Sequence, residues 1–167
     1  MTEIARKELD AFELLMQDHR EVESLFREFE YLQQNRENTG RVIANACAEL
    51  KIHDTLETEI FYAAVQEAAD NEAIDRLPGE AEVEHDQILE LIEKLEQTTT
   101  DTKQRDAYFT TLGEHVKHHV LKEETERFPL VKKLVQLDLG SVTAAMKKRK
   151  AELIAEMGIA EADEETV

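Results

Sequence analysis

Six residues of this chain have the types and the spacing of a metal site. His19 is followed 34 positions later by His53, and Glu57 comes four after that. His85 is followed 34 positions later by His119, and Glu123 again comes four after. The first set recurs in the second at an offset of 66, and four of the chain's six histidines fall in this frame. A repeat of this kind implies two similar helical hairpins, each supplying two imidazoles and one carboxylate. Imidazole nitrogen and carboxylate oxygen are ligands for divalent first-row metals. A His and a Glu four apart lie one turn apart on the same helix face. Two such pairs offer more donors than one tetrahedral ion takes, and they suit two ions sharing bridging carboxylates.

The elements that must carry these residues are helices. Over residues 8–34, Phe12, Leu15, His19, Val22, Phe26 and Phe29 recur at steps of three and four, which is one face of a helix. Asn35 to Gly40 read as a turn. A second helix is expected over 41–69, with the stripe Ile43, Ala46, Leu50, His53, Glu57, Ile60 and Ala64. Pro78-Gly79 closes the next connection as a breaker. A third helix is expected over 80–97, with Ala81, His85, Ile88, Ile92 and Leu95 on its stripe, and a fourth over 102–137, with Phe109, Leu112, Val116, His119, Glu123 and Leu130. Pro129 should kink the fourth helix or end its regular part. Leu139-Gly140-Ser141 reads as a stop and N-cap before a shorter fifth helix over 142–157, which Gly158 ends. The acidic tail 161–167 is expected to fray. Four long helices with short connections predict an all-α protein: an antiparallel, up-down-up-down four-helix bundle over residues 1–140, with a short additional C-terminal helix and tail over 141–167. No stretch carries a strand signal.

Composition narrows the class. The chain has 167 residues, 41% hydrophobic and 35% charged, enough for one domain with a real core. Only five Gly and two Pro among abundant Ala, Leu, Glu and Lys favour helix. A net charge of −18 argues against nucleic acid and against anionic membrane surfaces as partners. One cysteine, Cys47, excludes an intramolecular disulfide and fits a reducing, cytoplasmic location; it reads as a small helix filler. Residues 1–7 hold no apolar signal core, and no 18-residue apolar run exists to span a membrane.

One histidine on an apolar stripe is ordinarily a satisfied core residue. Four in one repeat, each pair with its glutamate, need a better reason, because burying unpaired carboxylates costs several kcal/mol. The combined pattern resembles the hemerythrin-like, or HHE cation-binding, family over about residues 10 to 135. Its two local stretches here run from Leu50 through His53-Asp54-Thr55-Leu56-Glu57 to Tyr62, and from His118-His119 through Glu123 to Pro129. The resemblance implies a non-heme di-iron centre with an oxo or hydroxo bridge between the two Fe ions. It implies that His19 and His53 bind one iron, that His85 and His119 bind the other, and that Glu57 and Glu123 bridge. The oxygen carriers of the family have a fifth histidine one turn after the ligand on the third helix; here that position is Leu89. One iron would then be open to water or to a neighbour such as His115, which puts reversible dioxygen carriage in doubt. His118 lies about 100° round the helix from His119 and reads as a contact residue. Four after His118 stands Lys122, which cannot bridge metals. Asp54, Glu82 and Glu126 read as solvated, Tyr62 and Tyr108 as packing residues, and Lys147 to Lys150 as a solvated basic face.

Three functions fit these residues. The first is a di-iron protein that binds or reacts with dioxygen, nitric oxide or peroxide in sensing, scavenging or storage. The second is a ferritin-like oxidase, whose family places Glu-x-x-His on two helices; this chain has only Glu82-x-x-His85. The third is a binding module whose metal is structural or reports iron availability.

Overall fold

The computed structural model describes residues 8–158, and the fold within them is all-helical, with no strand. The readings of residues 1–7 and of the acidic tail lie outside the described residues. Helix α1 (Ala11–Gln34) starts at a reciprocal cap: the Glu13 N–H donates to Asp10 Oδ1 at 2.9 Å while the Asp10 N–H donates back to the Glu13 carboxylate. It ends at Asn35, before Arg36 turns the chain at φ 56°.

The expected second helix is interrupted. Helix α2 (Gly40–Leu56) runs into a π-helical turn (Glu57–Phe61) and resumes as α3 (Tyr62–Ala68). The expected fourth helix is interrupted in the same way: α6 (Thr102–Lys122), a π-helical turn (Glu123–Arg127), then α7 (Phe128–Leu134). The Tyr62 and Phe128 N–H groups each reach back five residues, to the carbonyls of Glu57 and Glu123. A π turn inserts one residue, so the buried face beyond it advances by one position. Expected core residues Ile60, Ala64 and Leu130 are therefore only partly buried, and Phe61, Val65 and Val131 take their places. The regular α-helix ends at Lys122, before Pro129, in the π turn; Pro129 itself sits in the first turn of α7.

Pro78 does the same in α5 (Leu77–Gln97), so Pro78-Gly79 begins that helix rather than preceding it. A short helix α4 (Glu72–Asp75) occupies part of the connection. Helix α8 (Leu139–Met157) starts earlier than expected, because Asp138 and not Ser141 is the N-cap; the Ser141 N–H donates to Asp138 Oδ1 at 3.3 Å. Gly158 ends it at φ 63°, a left-handed conformation that glycine adopts without penalty.

Two apolar clusters fill the interior, and each long helix passes from one to the other. Along α1, Phe12 and Leu15 belong to one cluster and Val22 and Phe29 to the other. Along α2 and α3 the order reverses, from Ile43 and Leu50 to Phe61 and Val65. Along α5 the chain goes from Leu77 and Ala81 to Ile88 and Ile92; along α6 and α7 it returns, from Leu112 and Val116 to Phe128 and Val131. The histidines and glutamates of the repeat fall between the clusters on every helix. Helix α8 packs outside, with Val142 and Met146 in the Phe12 cluster and Leu153 against Ile52 and Leu56.

Candidate metal centre

His19, His53, His85 and His119 are each at most 5% exposed, and Glu57 and Glu123 are fully buried. All six residues singled out by the repeat come together. His19 Nε2 lies 3.1 Å from Glu123 Oε1, and His119 Nε2 lies 3.0 Å from Glu123 Oε1 and 3.2 Å from Glu57 Oε1. His53 Nε2 is 2.6 Å from Glu57 Oε1, and His85 Nε2 is 3.3 Å from the same oxygen. Ligand atoms of His19, His53, Glu57, His119 and Glu123 all lie within 4.8 Å of one another, and His85 joins them through Glu57. The imidazoles fall into two pairs. The rings of His19 and His53 are 4.8 Å apart and those of His85 and His119 are 4.9 Å apart, against 6.3 Å between His53 and His119.

Every imidazole is held from behind by a carboxylate on another helical segment. His19 Nδ1 is 2.6 Å from Glu124, His53 Nδ1 is 3.0 Å from Asp18, His85 Nδ1 is 2.8 Å from Asp54, and His119 Nδ1 is 2.6 Å from Glu84. An ionised carboxylate only accepts, so the Nδ1 atoms of His19, His53 and His119 carry the proton and donate outward, while His85 Nδ1 stands in ion-pair contact with Asp54. That leaves Nε2 facing inward, where it can present a lone pair to a cation. The four outer carboxylates form a cycle: each stands next in sequence to one of the six inner residues, and each serves the imidazole of a neighbouring helix. That adjacency (Asp18-His19, His53-Asp54, Glu84-His85, Glu123-Glu124) is a signal the sequence reading passed over. It also corrects the reading of Asp54 as solvated.

Cations stand behind three of the carboxylates. Arg127, only 1% exposed, forks onto Glu84 with contacts of 2.7 and 2.6 Å. Arg20 pairs with Glu124, and Lys150 Nζ donates to Asp18 at 2.7 Å. Lys150 and Arg149, which pairs with Glu59, are thus bound to carboxylates, whereas Lys147 and Lys148 are the exposed face expected. Burial pushes the Glu84 carboxyl up, but hydrogen bonds from Arg127 and His119 outweigh it and hold the pKa down at about 2.

Tyr62 also belongs to the site. Its hydroxyl donates to Glu123 Oε2 at 2.7 Å from a fully buried position. Burial and the negative charges of Glu123 and Glu57 raise its pKa well above the ordinary phenol value. The residue 66 positions after Tyr62 is Phe128, which has no hydroxyl, and Glu57 Oε2 is buried without a hydrogen-bond partner. Tyr108, by contrast, packs on the cluster of Val22 and Phe29 and accepts from Gln104. His118, Glu82 and Glu126 are exposed. With Glu82 on the surface, the one Glu-x-x-His of the chain contributes no carboxylate to the centre. His115 is half-buried and does not line the cavity between the histidines. Neither does Leu89; the α5 residue that lines it beside His85 is Ile88.

The donor set fits metal ions. Without a cation, the inner carboxylates have the Tyr62 hydroxyl on Glu123 and otherwise depend on protons on Nε2. Burial alone would lower the His53 pKa, but the Glu57 charge and hydrogen bonds to Asp18 and Glu57 raise it to about 10. For His85, burial is likewise outweighed, by hydrogen bonds to Asp54 and Glu57, and the pKa rises to about 9. Burial raises the Glu57 carboxyl, yet the charge of His53, the Glu123 carboxyl and the charge of His119 hold it well below the carboxylate range. The cluster demands positive charge at its centre, and one Glu57 oxygen still has no partner. A cavity of about 20 Å3 adjoins the four imidazoles, walled by Val22, Leu50, Ile88 and Val116. That is room for a molecule of roughly water size.

The hemerythrin HHE cation binding domain family matches residues 10–131 of the 167-residue chain, and the chain belongs to that family. No curated protein and no solved structure matches it. Among the described residues, no helix is long and apolar enough to cross a membrane.

Proposed function

We propose that this is a non-heme di-iron protein that binds or reacts with a small ligand (dioxygen, nitric oxide or peroxide) in sensing, scavenging or storage. The observation that carries the reading is the convergence of four inward-facing Nε2 atoms on two fully buried carboxylates, one with an unpartnered oxygen. In this reading His19 and His53 would hold one ion, His85 and His119 would hold the other, and Glu57 and Glu123 would serve both; the pairing of the rings supports that division. The alternation of the long helices between two apolar clusters supports an up-down-up-down bundle around the centre. The charge of −18 and the lone cysteine support a cytoplasmic protein without nucleic-acid or membrane partners.

Iron bound here would supply electrons and an open coordination position to the ligand. The chain supplies the rest. The outer carboxylates hold the imidazole ring planes and keep Nε2 turned toward the centre. Tyr62 holds the Glu123 carboxylate through one oxygen. Val22, Leu50, Ile88 and Val116 wall a cavity of about 20 Å3 beside the imidazoles, a size that favours a ligand of a few atoms.

The test is metal analysis with an optical spectrum, recorded after anaerobic reduction and again after exposure to air. Two irons per chain and absorption bands of a bridged diferric pair are the expected result. One ion per chain, or a colourless zinc protein, would overturn the reading.

A further inference from the structure

Helix α8 lies beyond the residues that match the family, yet one of its side chains reaches the centre. Lys150 Nζ donates to Asp18 Oδ1 at 2.7 Å, and Asp18 Oδ2 accepts from His53 Nδ1 at 3.0 Å. One buried carboxylate thus joins an outer helix to an inner imidazole. The other two cations behind the outer carboxylates, Arg20 and Arg127, come from within the matched residues. Lys150 alone comes from outside them.

The docking of α8 is aimed at the same segment. Leu153 packs in one cluster with Ile52 and Leu56, which flank His53 in sequence. Arg149 Nε donates to Glu59 at 3.0 Å, inside the π turn that begins with Glu57. Glu21 and Glu49 also stand near Lys150, around a cavity of about 110 Å3, but Asp18 is the carboxylate it bonds.

We propose that Lys150 is a positioning residue for the metal centre: by fixing Asp18 it fixes the His53 imidazole, and so couples the docking of α8 to metal occupancy. The inference rests on reading the site as a metal centre. Asp18 uses one oxygen for each partner, so losing the lysine frees the carboxylate to turn and the imidazole with it. Partners one step removed from a metal ligand act in this way and set how firmly the metal is held. Coupling is reciprocal by thermodynamic necessity: if docked α8 tightens metal binding, bound metal tightens the docking of α8. The helix outside the family domain then reports the state of the centre.

Three variants and three readouts test this. In iron(II)-loaded protein, Lys150→Met should speed capture of the metal by a chelator about 10- to 100-fold. Lys150→Arg should restore the slow rate, and Lys148→Met, an exposed neighbour, should leave it unchanged. Deuterium uptake in α8 should fall on loading the wild type, and should not respond to loading in Lys150→Met. In metal-free protein, the nitrogen-15 signals of His53 should move in Lys150→Met while those of His85 stay put. An unchanged capture rate in a folded Lys150→Met overturns the proposal. So does equal acceleration in Lys148→Met, or equal movement of His53 and His85. A wild type that takes up no iron(II) overturns the metal reading instead. The imidazole signals then decide Lys150 by themselves, and an unmoved His53 overturns its role.

Discussion

At the scale of single residues, the four imidazoles are distinguished by their backs as well as their fronts. Each Nδ1 has a carboxylate and each Nε2 faces a shared glutamate oxygen or approaches one. His53→Ala and His119→Ala are therefore expected to lose most of the bound metal, whereas His118→Ala, on the exposed face, retains it. Metal content of the three purified variants is the measurement, and equal loss in all three would show that the wrong histidine of the His118-His119 pair was assigned. Tyr62 carries a second expectation. Tyr62→Phe leaves Glu123 Oε2 buried without its donor, which costs about 1–3 kcal/mol in the metal-free protein. Urea unfolding of the two metal-free proteins checks it, and a difference near zero would mean that water replaces the hydroxyl.

At the scale of elements, the two π turns are the devices that shape the centre. Each begins with a bridging candidate, Glu57 or Glu123, and the two turns keep the repeat offset of 66 residues. The second turn also aims Arg127 into the protein, where it forks onto Glu84 and thereby backs His119. Arg127→Met is expected to weaken metal binding by roughly 10- to 100-fold. Arg127→Lys should not restore it, because a single ammonium cannot fork onto both carboxylate oxygens. Competition with a chelator of known affinity measures both, and full restoration by lysine would show that charge alone is what Glu84 needs.

At the scale of the whole molecule, packing buries groups far from the centre as well. Cys47 lies 5% exposed on α2, and burial first, then the Glu96 charge, raises its thiol from 9.0 to about 12 against the opposing pull of Lys51. The unfolded chain releases this proton at a lower pH than the folded one. Folding therefore holds more protons, and stability must fall as pH rises from about 9 toward 12. Cys47→Ala should lose that part of the decline. Urea midpoints of both proteins across the range test it, and parallel curves would mean that the thiol contributes nothing. Alkylation of Cys47 at pH 8 should accordingly track unfolding of the chain rather than direct attack on the folded state.

The spacing of His19, His53, Glu57, His85, His119 and Glu123 was enough to place all six together, because a step of four residues keeps each His and the Glu after it on one face up to the start of the π turn. The all-helical class was legible for the same reason, from stripes with a 3.6-residue period and few breakers. The π turns were not. An inserted residue leaves the apolar pattern equally compatible with an unbroken helix, and only the packed interior shows that Phe61, Val65 and Val131 are inside in place of Ile60, Ala64 and Leu130. The outer carboxylates stand beside the six candidate residues in sequence, but a residue about 100° from the buried stripe looks solvated until a neighbouring helix is set against it. Tyr62 and Lys150 came to the centre only through contacts across 61 and 132 residues of chain. Local periodicity decides which face of a helix is buried; which side chains meet across helices is decided by the packing that brings distant segments together.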